Sequence, residues 1–136
     1  MAKKGSSKSD VLKRVPLFEA CSKSDLAKIG RIADEIDLPQ GKELIREDEL
    51  ARQFFILTDG SAEVRRKGRK VNTIGPGDFF GEIGLVTDRR TSASVTTVEP
   101  VRALVITRAS FKTLLRNSPE IQLKVLQALA ERVAGD

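Results

Sequence analysis

The sequence predicts a mainly β fold with flanking helices: a β-roll entered through N-terminal helices and left through a C-terminal helix. Three observations carry this. Between residues 44 and 106, short apolar runs alternate with turn residues. Before and after that stretch, apolar residues fall at helical spacing instead. A length of 136 residues suits one domain, and a chain of this size buries roughly two-thirds of its unfolded surface without needing staples.

The elements follow in order. Residues 1–10 read as a flexible basic leader, and 11–136 as a single domain. Val11–Ala20 suits a short helical turn interrupted at Pro16. Ser22 and Asp25 stand at capping-box spacing, with Leu26, Ile29 and Ala33 on one helix face. Ile36 and Leu38 alternate up to Pro39-Gln40-Gly41. Then come Leu44–Ile45, Phe54–Leu57, Ala62–Val64, Val71–Ile74, Ala93–Val98 and Val101–Ile106, divided by Gly60, Gly68, Gly75-Pro76-Gly77 and Glu99-Pro100. Runs this short and this β-branched predict an antiparallel sandwich or barrel. Helical spacing returns with Phe111, Leu114 and Leu115. Ser118-Pro119-Glu120 is a helix start, and Ile121, Val125, Leu129 and Val133, flanked by Leu126 and Ala130, predict an apolar stripe facing the core.

Composition narrows the chemistry. There is no His and one Cys, Cys21. Histidine-based triads, most transition-metal sites, intrachain disulfides and thiolate clusters are therefore excluded. A binding module or a carboxylate-based enzyme remains. No signal peptide and no apolar run of about 20 residues is present, so a soluble cytoplasmic protein is expected. The net charge of +5 is concentrated in residues 1–14, which hold five bases and one acid. A second cluster, Arg65-Arg66-Lys67-Gly68-Arg69-Lys70, reads as a solvated hairpin tip.

Residues 75–95 carry the chemistry. Gly75, Gly77, Gly81 and Gly84 allow tight turns and close backbone approach. Glu82–Val86 suits one helical turn, whose leading amides would favour an anion. Arg89 and Arg90 would supply the compensating charge. The Gly-Lys-Ser/Thr of a nucleotide triphosphatase loop is missing, as is any aspartate cluster for Mg²⁺. A singly charged, metal-free anion such as a phosphodiester is expected. Glu82 beside a phosphate needs a hydroxyl partner, for instance a ribose 2′-OH. The competing local reading has Glu82 capping the turn and Arg90 paired with Asp88.

Several ordered segments resemble the cyclic nucleotide-binding domain family of bacterial cAMP-receptor-type regulators, kinase regulatory subunits and nucleotide-gated channels. Phe80-Gly81-Glu82-Ile83-Gly84-Leu85 looks like its phosphate-binding cassette. Phe55–Val64 is similar to its strand–Gly–strand hairpin, Gly75–Gly81 to the cassette entry, and Leu12–Phe18 to its helical opening. The resemblance implies a double-stranded, jelly-roll-like β-roll of eight strands. It implies that Glu82 holds the ribose 2′-OH and Arg90 the exocyclic phosphate oxygens. The amides of Ile83, Gly84 and Leu85 complete the cradle behind Gly81, with Val71 and Phe79 as apolar contacts.

The family's arginine stands eleven residues beyond the cassette Phe, and here that count reaches Thr91. Arg90 takes the role with a loop one residue shorter and Ser92 or a neighbour inserted; Arg89 is a third candidate. Asp48 and Ala51 stand where the family's early turn has glycines. The Arg90-Thr91 pair resembles relatives of either base preference, and cAMP is favoured over cGMP. The implied function is a non-catalytic cyclic nucleotide sensor with no cofactor. The alternative is a degenerate domain of the same fold acting in protein–protein contact. With no kinase, channel or helix-turn-helix segment after Val133, a separate effector is expected and direct DNA binding is not.

Overall fold

A computed structural model describes residues 7–135. The chain forms two compact units, one containing the helices up to Ala33 and from Ala109 onward, the other spanning Asp34–Arg108.

The second unit is the β-roll. Its strands are β1 (Asp34–Leu38), β2 (Glu43–Ile45), β3 (Gln53–Asp59), β4 (Ala62–Arg66), β5 (Arg69–Ile74), β6 (Phe79–Phe80), β7 (Ser94–Thr97) and β8 (Val101–Thr107). They make two four-stranded antiparallel sheets, ordered β1-β8-β3-β6 and β2-β7-β4-β5. The eight strands match the expected roll. The inner faces meet in a core of Ile45, Phe55, Leu57, Ala62, Ile74, Val95, Val101, Ala103 and Val105. Strand alternation places these residues together, since every second side chain points inward. Central β3 departs from alternation: Phe54, Phe55, Ile56 and Leu57 are all buried, as expected for a strand covered on both faces. β6 has no periodicity to read because it is two residues long; its pairing with Phe55 and Ile56 creates it.

The helical unit contains α1 (Lys8–Leu12), a 3₁₀ turn at Pro16–Phe18, α2 (Lys23–Arg31), α3 (Arg108–Asn117, from its second residue) and α4 (Pro119–Gly135). Of the expected leader, residues 1–6 lie outside the described residues, while Ser7 and Asp10 form a capping box that starts α1. Lys8 extends this order: its Nζ donates to the carbonyls of Gly30 (3.2 Å) and Ala33 (2.6 Å) at the end of α2, where the Gly30 carbonyl also accepts from Ala33 N–H. Pro16 opens its short turn rather than breaking one, a position where its missing N–H costs nothing. α2 starts at the expected Ser22–Asp25 box.

The α4 stripe differs from expectation. Ile121, Val125 and Ala128 are buried, whereas Leu126 and Val133 are exposed. A step of four residues drifts about 40° around a helix, which carries Leu129 to the edge of the buried face and Val133 out of it.

Asp25 ties the helices together. Its Oδ2 accepts from Lys124 Nζ of α4 (2.5 Å) and from Ser22 N–H (2.9 Å). Burial pushes the carboxyl up, but the Lys124 and Ser22 hydrogen bonds outweigh it and hold the group below its ordinary value. Lys124 is correspondingly raised by its bond to Asp25. Cys21 beside them is pushed up to about 11, by burial first and by the Asp25 charge second. A depressed carboxyl contributes stability above its unfolded pKa, near 3.9, and loses it as pH falls through the folded value. Lys124→Met is therefore expected to lower the melting temperature by several degrees at pH 7. It should also flatten the loss of stability between about pH 5 and pH 2, measured by circular dichroism melts across that range.

Candidate functional site

The site is built within the β-roll unit. After β5, Gly75 N–H donates to Asp78 Oδ2 (2.9 Å), Gly77 N–H to the Leu57 carbonyl (2.7 Å), and Leu57 N–H to the Asp78 carbonyl (2.9 Å). This turn pins β6 onto β3. Phe80 stacks on Phe55, with centroids 5.1 Å apart and planes 17° apart.

Gly81 redirects the chain with φ +87°, and a Cβ there would lie 2.6 Å from the Gln53 carbonyl oxygen. Glu82–Leu85 follow as one 3₁₀ turn, closed by Gly84 N–H donating to the Gly81 carbonyl (3.1 Å). Gly84 packs directly against the Ala51 carbonyl, leaving no room for a side chain. Ala51 stays where the family's early turn has a glycine, and Gly84 supplies the clearance.

Residues 89–92 return against the 46–50 loop. Arg90 forms a backbone bridge with Leu50. Thr91 N–H donates to the Glu49 carbonyl (2.8 Å), and Asp48 N–H to the Thr91 carbonyl (2.9 Å). The Thr91 hydroxyl donates to the Arg46 carbonyl (2.6 Å) and accepts from Glu49 N–H (3.3 Å). Asp48 sits at φ +66°, the left-handed conformation that the glycine would supply and that Asp tolerates better than most residues. Its carbonyl accepts from Arg90 Nη1 at 2.6 Å.

These walls enclose a cavity of about 530 Å³. Of the expected ligand residues, Gly81, Glu82, Gly84, Arg90, Thr91 and Ser92 line it, together with Arg89. Leu85 is buried in the turn and is not a lining residue, and the Ile83 side chain lies outside what the structure describes. Neither Val71 nor Phe79 lines the cavity. Val71 is half exposed on β5, and Phe79 packs edge-on against Phe54 at 6.0 Å. Phe80 takes the apolar place instead, with Ile45, Val64 and Val95.

Arg66 is the unexpected member. It sits at the end of β4, two residues beyond the inward-facing Val64, and its Nε donates to the Ser92 carbonyl (3.1 Å). The alternation Ala62, Val64, Arg66 carried that signal, but the surrounding run of bases hid it.

Three guanidiniums, those of Arg66, Arg89 and Arg90, thus share the cavity with buried Glu82. Among the described residues none of the three makes an ion pair. Asp88, the competing partner for Arg90, is paired with Arg108 Nη2 at 2.5 Å. Also among the described residues, no cluster of three or more acids and cysteines is placed to hold a metal ion. Apolar and cationic residues lining one cavity suit an amphipathic anion.

Residues 35–118 match the cyclic nucleotide-binding domain. The chain belongs to that family. As a member of the cyclic nucleotide-binding domain family, it is 27% identical over 129 residues to a CRP-like cAMP-activated global transcriptional regulator of Mycobacterium tuberculosis, covering 91% of this chain and 58% of the relative. The N-terminal domain of a transcriptional regulator from Streptomyces coelicolor A3(2) superposes with a TM-score of 0.83 at 27% identity, covering 93% of this chain and 94% of that one. The cAMP-bound PfPKA-R structure gives a TM-score of 0.68 at 28% identity, covering 95% of this chain and 48% of that one. The chain thus spans little more than half the length of the mycobacterial regulator. Among the described residues, no helix is long and apolar enough to cross a membrane.

Proposed function

We propose that this cyclic nucleotide-binding domain takes cAMP into the 530 Å³ cavity as a cytoplasmic, non-catalytic regulatory module. The observation that carries the reading is the convergence of Glu82, the 81–85 turn and Arg90 on one cavity. In it, Glu82 takes the ribose 2′-OH and Arg90 the phosphate, while Ile45, Val64, Val95 and Phe80 cover the purine. The Thr91 hydroxyl has its proton committed to the Arg46 carbonyl. What remains on the hydroxyl is acceptor capacity, which a guanine amino group could use, so the preference for cAMP over cGMP rests on the relatives. Two relatives described by their cAMP response or content support the same ligand. Regulation follows only if the ligand binds one arrangement of the chain better than another.

Calorimetric titration with cAMP and cGMP tests the reading. Saturable binding of cAMP, tighter than that of cGMP and with the nucleotide recovered intact, is expected. Tighter cGMP binding would reverse the base assignment. Absence of heat with either at millimolar concentration would favour the degenerate, protein-contacting alternative, and turnover would overturn the non-catalytic assignment.

A further inference from the structure

The geometry points to Arg108 as a positioning residue for this site: it holds the Asp88 carboxylate away from the ligand-facing arginines. The inference rests on the reading above.

Asp88 stands two residues before Arg90, the cation assigned to the phosphate, with Arg89 between them. A free carboxylate at that place would harm binding twice. It would compete for a guanidinium by forming an ion pair, and it would repel the incoming phosphodiester. The structure removes it from both roles, because Arg108 Nη2 holds Asp88 Oδ1 at 2.5 Å.

The pair is asymmetric. The Arg108 side chain is 16% exposed and that of Asp88 79%, so an anchored guanidinium captures a surface carboxylate. The anchor is the end of β8, where Arg108 N–H donates to the Arg52 carbonyl (2.9 Å). Arg52 lies between Ala51 and Gln53, whose carbonyls abut Gly84 and Gly81. The Arg108 backbone is thus bonded next to the chain that backs the 81–85 turn, while its side chain holds Asp88. Arg108 Nε is buried without a hydrogen-bond partner.

The test is a double-mutant cycle read by titration of cAMP into the full chain, with melts confirming that each variant is folded. Arg108→Gln is expected to weaken binding about tenfold, the scale of one charge-assisted contact. Arg108→Lys, which keeps the charge, should stay within about threefold of the parent. Asp88→Asn alone should also stay within about threefold, and in its background Arg108→Gln should have no further effect. Arg108→Met replaces the glutamine variant if that one unfolds. A purely structural role for Arg108 would give a loss that persists in the Asp88→Asn background. That result, or unchanged binding in Arg108→Gln, overturns the inference while the parent's affinity leaves the function intact. A parent chain that binds no cyclic nucleotide overturns the function and this inference with it.

Discussion

Arg90→Ala is expected to weaken cAMP binding about 100-fold, while Arg89→Ala changes it less than about threefold. Both side chains line the cavity, so the difference comes from how each is held. Arg90 is fixed at two levels: its backbone bridges to Leu50, and its Nη1 donates to the Asp48 carbonyl. A guanidinium has five N–H donors, so this contact leaves the rest of the fork for the two exocyclic phosphate oxygens. The tether also lowers the side-chain entropy lost when the ligand arrives. The described contacts of Arg89 are limited to its backbone N–H, which donates to Thr87 Oγ1 at 3.4 Å. Arg90→Lys keeps the charge but loses the paired donors, and should fall between, about tenfold down. Titration calorimetry on the three variants reads these values. A larger loss in Arg89→Ala than in Arg90→Ala would move the phosphate contact one residue earlier in the chain.

The contrast between these neighbours shows where the sequence was readable. The segment order helix, β-roll, helix was legible because each type has its own period and its own punctuation. Ser22 with Asp25, and Ser118 with Pro119, announce helix starts through groups that satisfy or dispense with orphan amides. Short apolar runs between turn residues located seven of the strands; β6 required knowledge of its partner, since two residues contain no period. The glycine-rich 75–85 stretch pointed to the site because few backbones need so many residues without side chains. Its partners were less visible. Arg66 reaches the cavity from β4, and Ile45 and Ala51 from chain about 30 residues before the turn. Only sheet pairing brings them there. Asp88 was the sharpest ambiguity: by spacing it was as close to Arg90 as any acid, and its capture by Arg108, 20 residues later, depends on where β8 ends. The electrostatic identity of the site is a property of the folded pairing, not of local order along the chain.

Gly81→Ala is expected to cost about 3 kcal/mol of stability and to abolish measurable cAMP binding. Two penalties add. The residue sits at φ +87°, where a Cβ costs about 1 kcal/mol. The same Cβ would stand 2.6 Å from the Gln53 carbonyl oxygen and 3.5 Å from Phe54 Cα. The obstacle is the Gln53 carbonyl, Phe54 Cα lying at ordinary contact distance, and it belongs to the backbone of β3, the strand that pairs with β6 and β8 and contributes Phe55 and Leu57 to the core. That strand cannot retreat, so the 81–85 turn must lift off it. Lifting the turn displaces Glu82 and opens the cavity wall on which the ligand depends. Gly41 isolates the conformational penalty, because it has φ +83° with nothing within 4 Å of its missing Cβ. Gly41→Ala should cost about 1 kcal/mol and leave cAMP affinity unchanged. Urea unfolding and calorimetry on both variants separate the two effects. Equal costs at the two glycines would mean that β3 yields to the turn, and the cassette would then be held by something other than close contact with that strand.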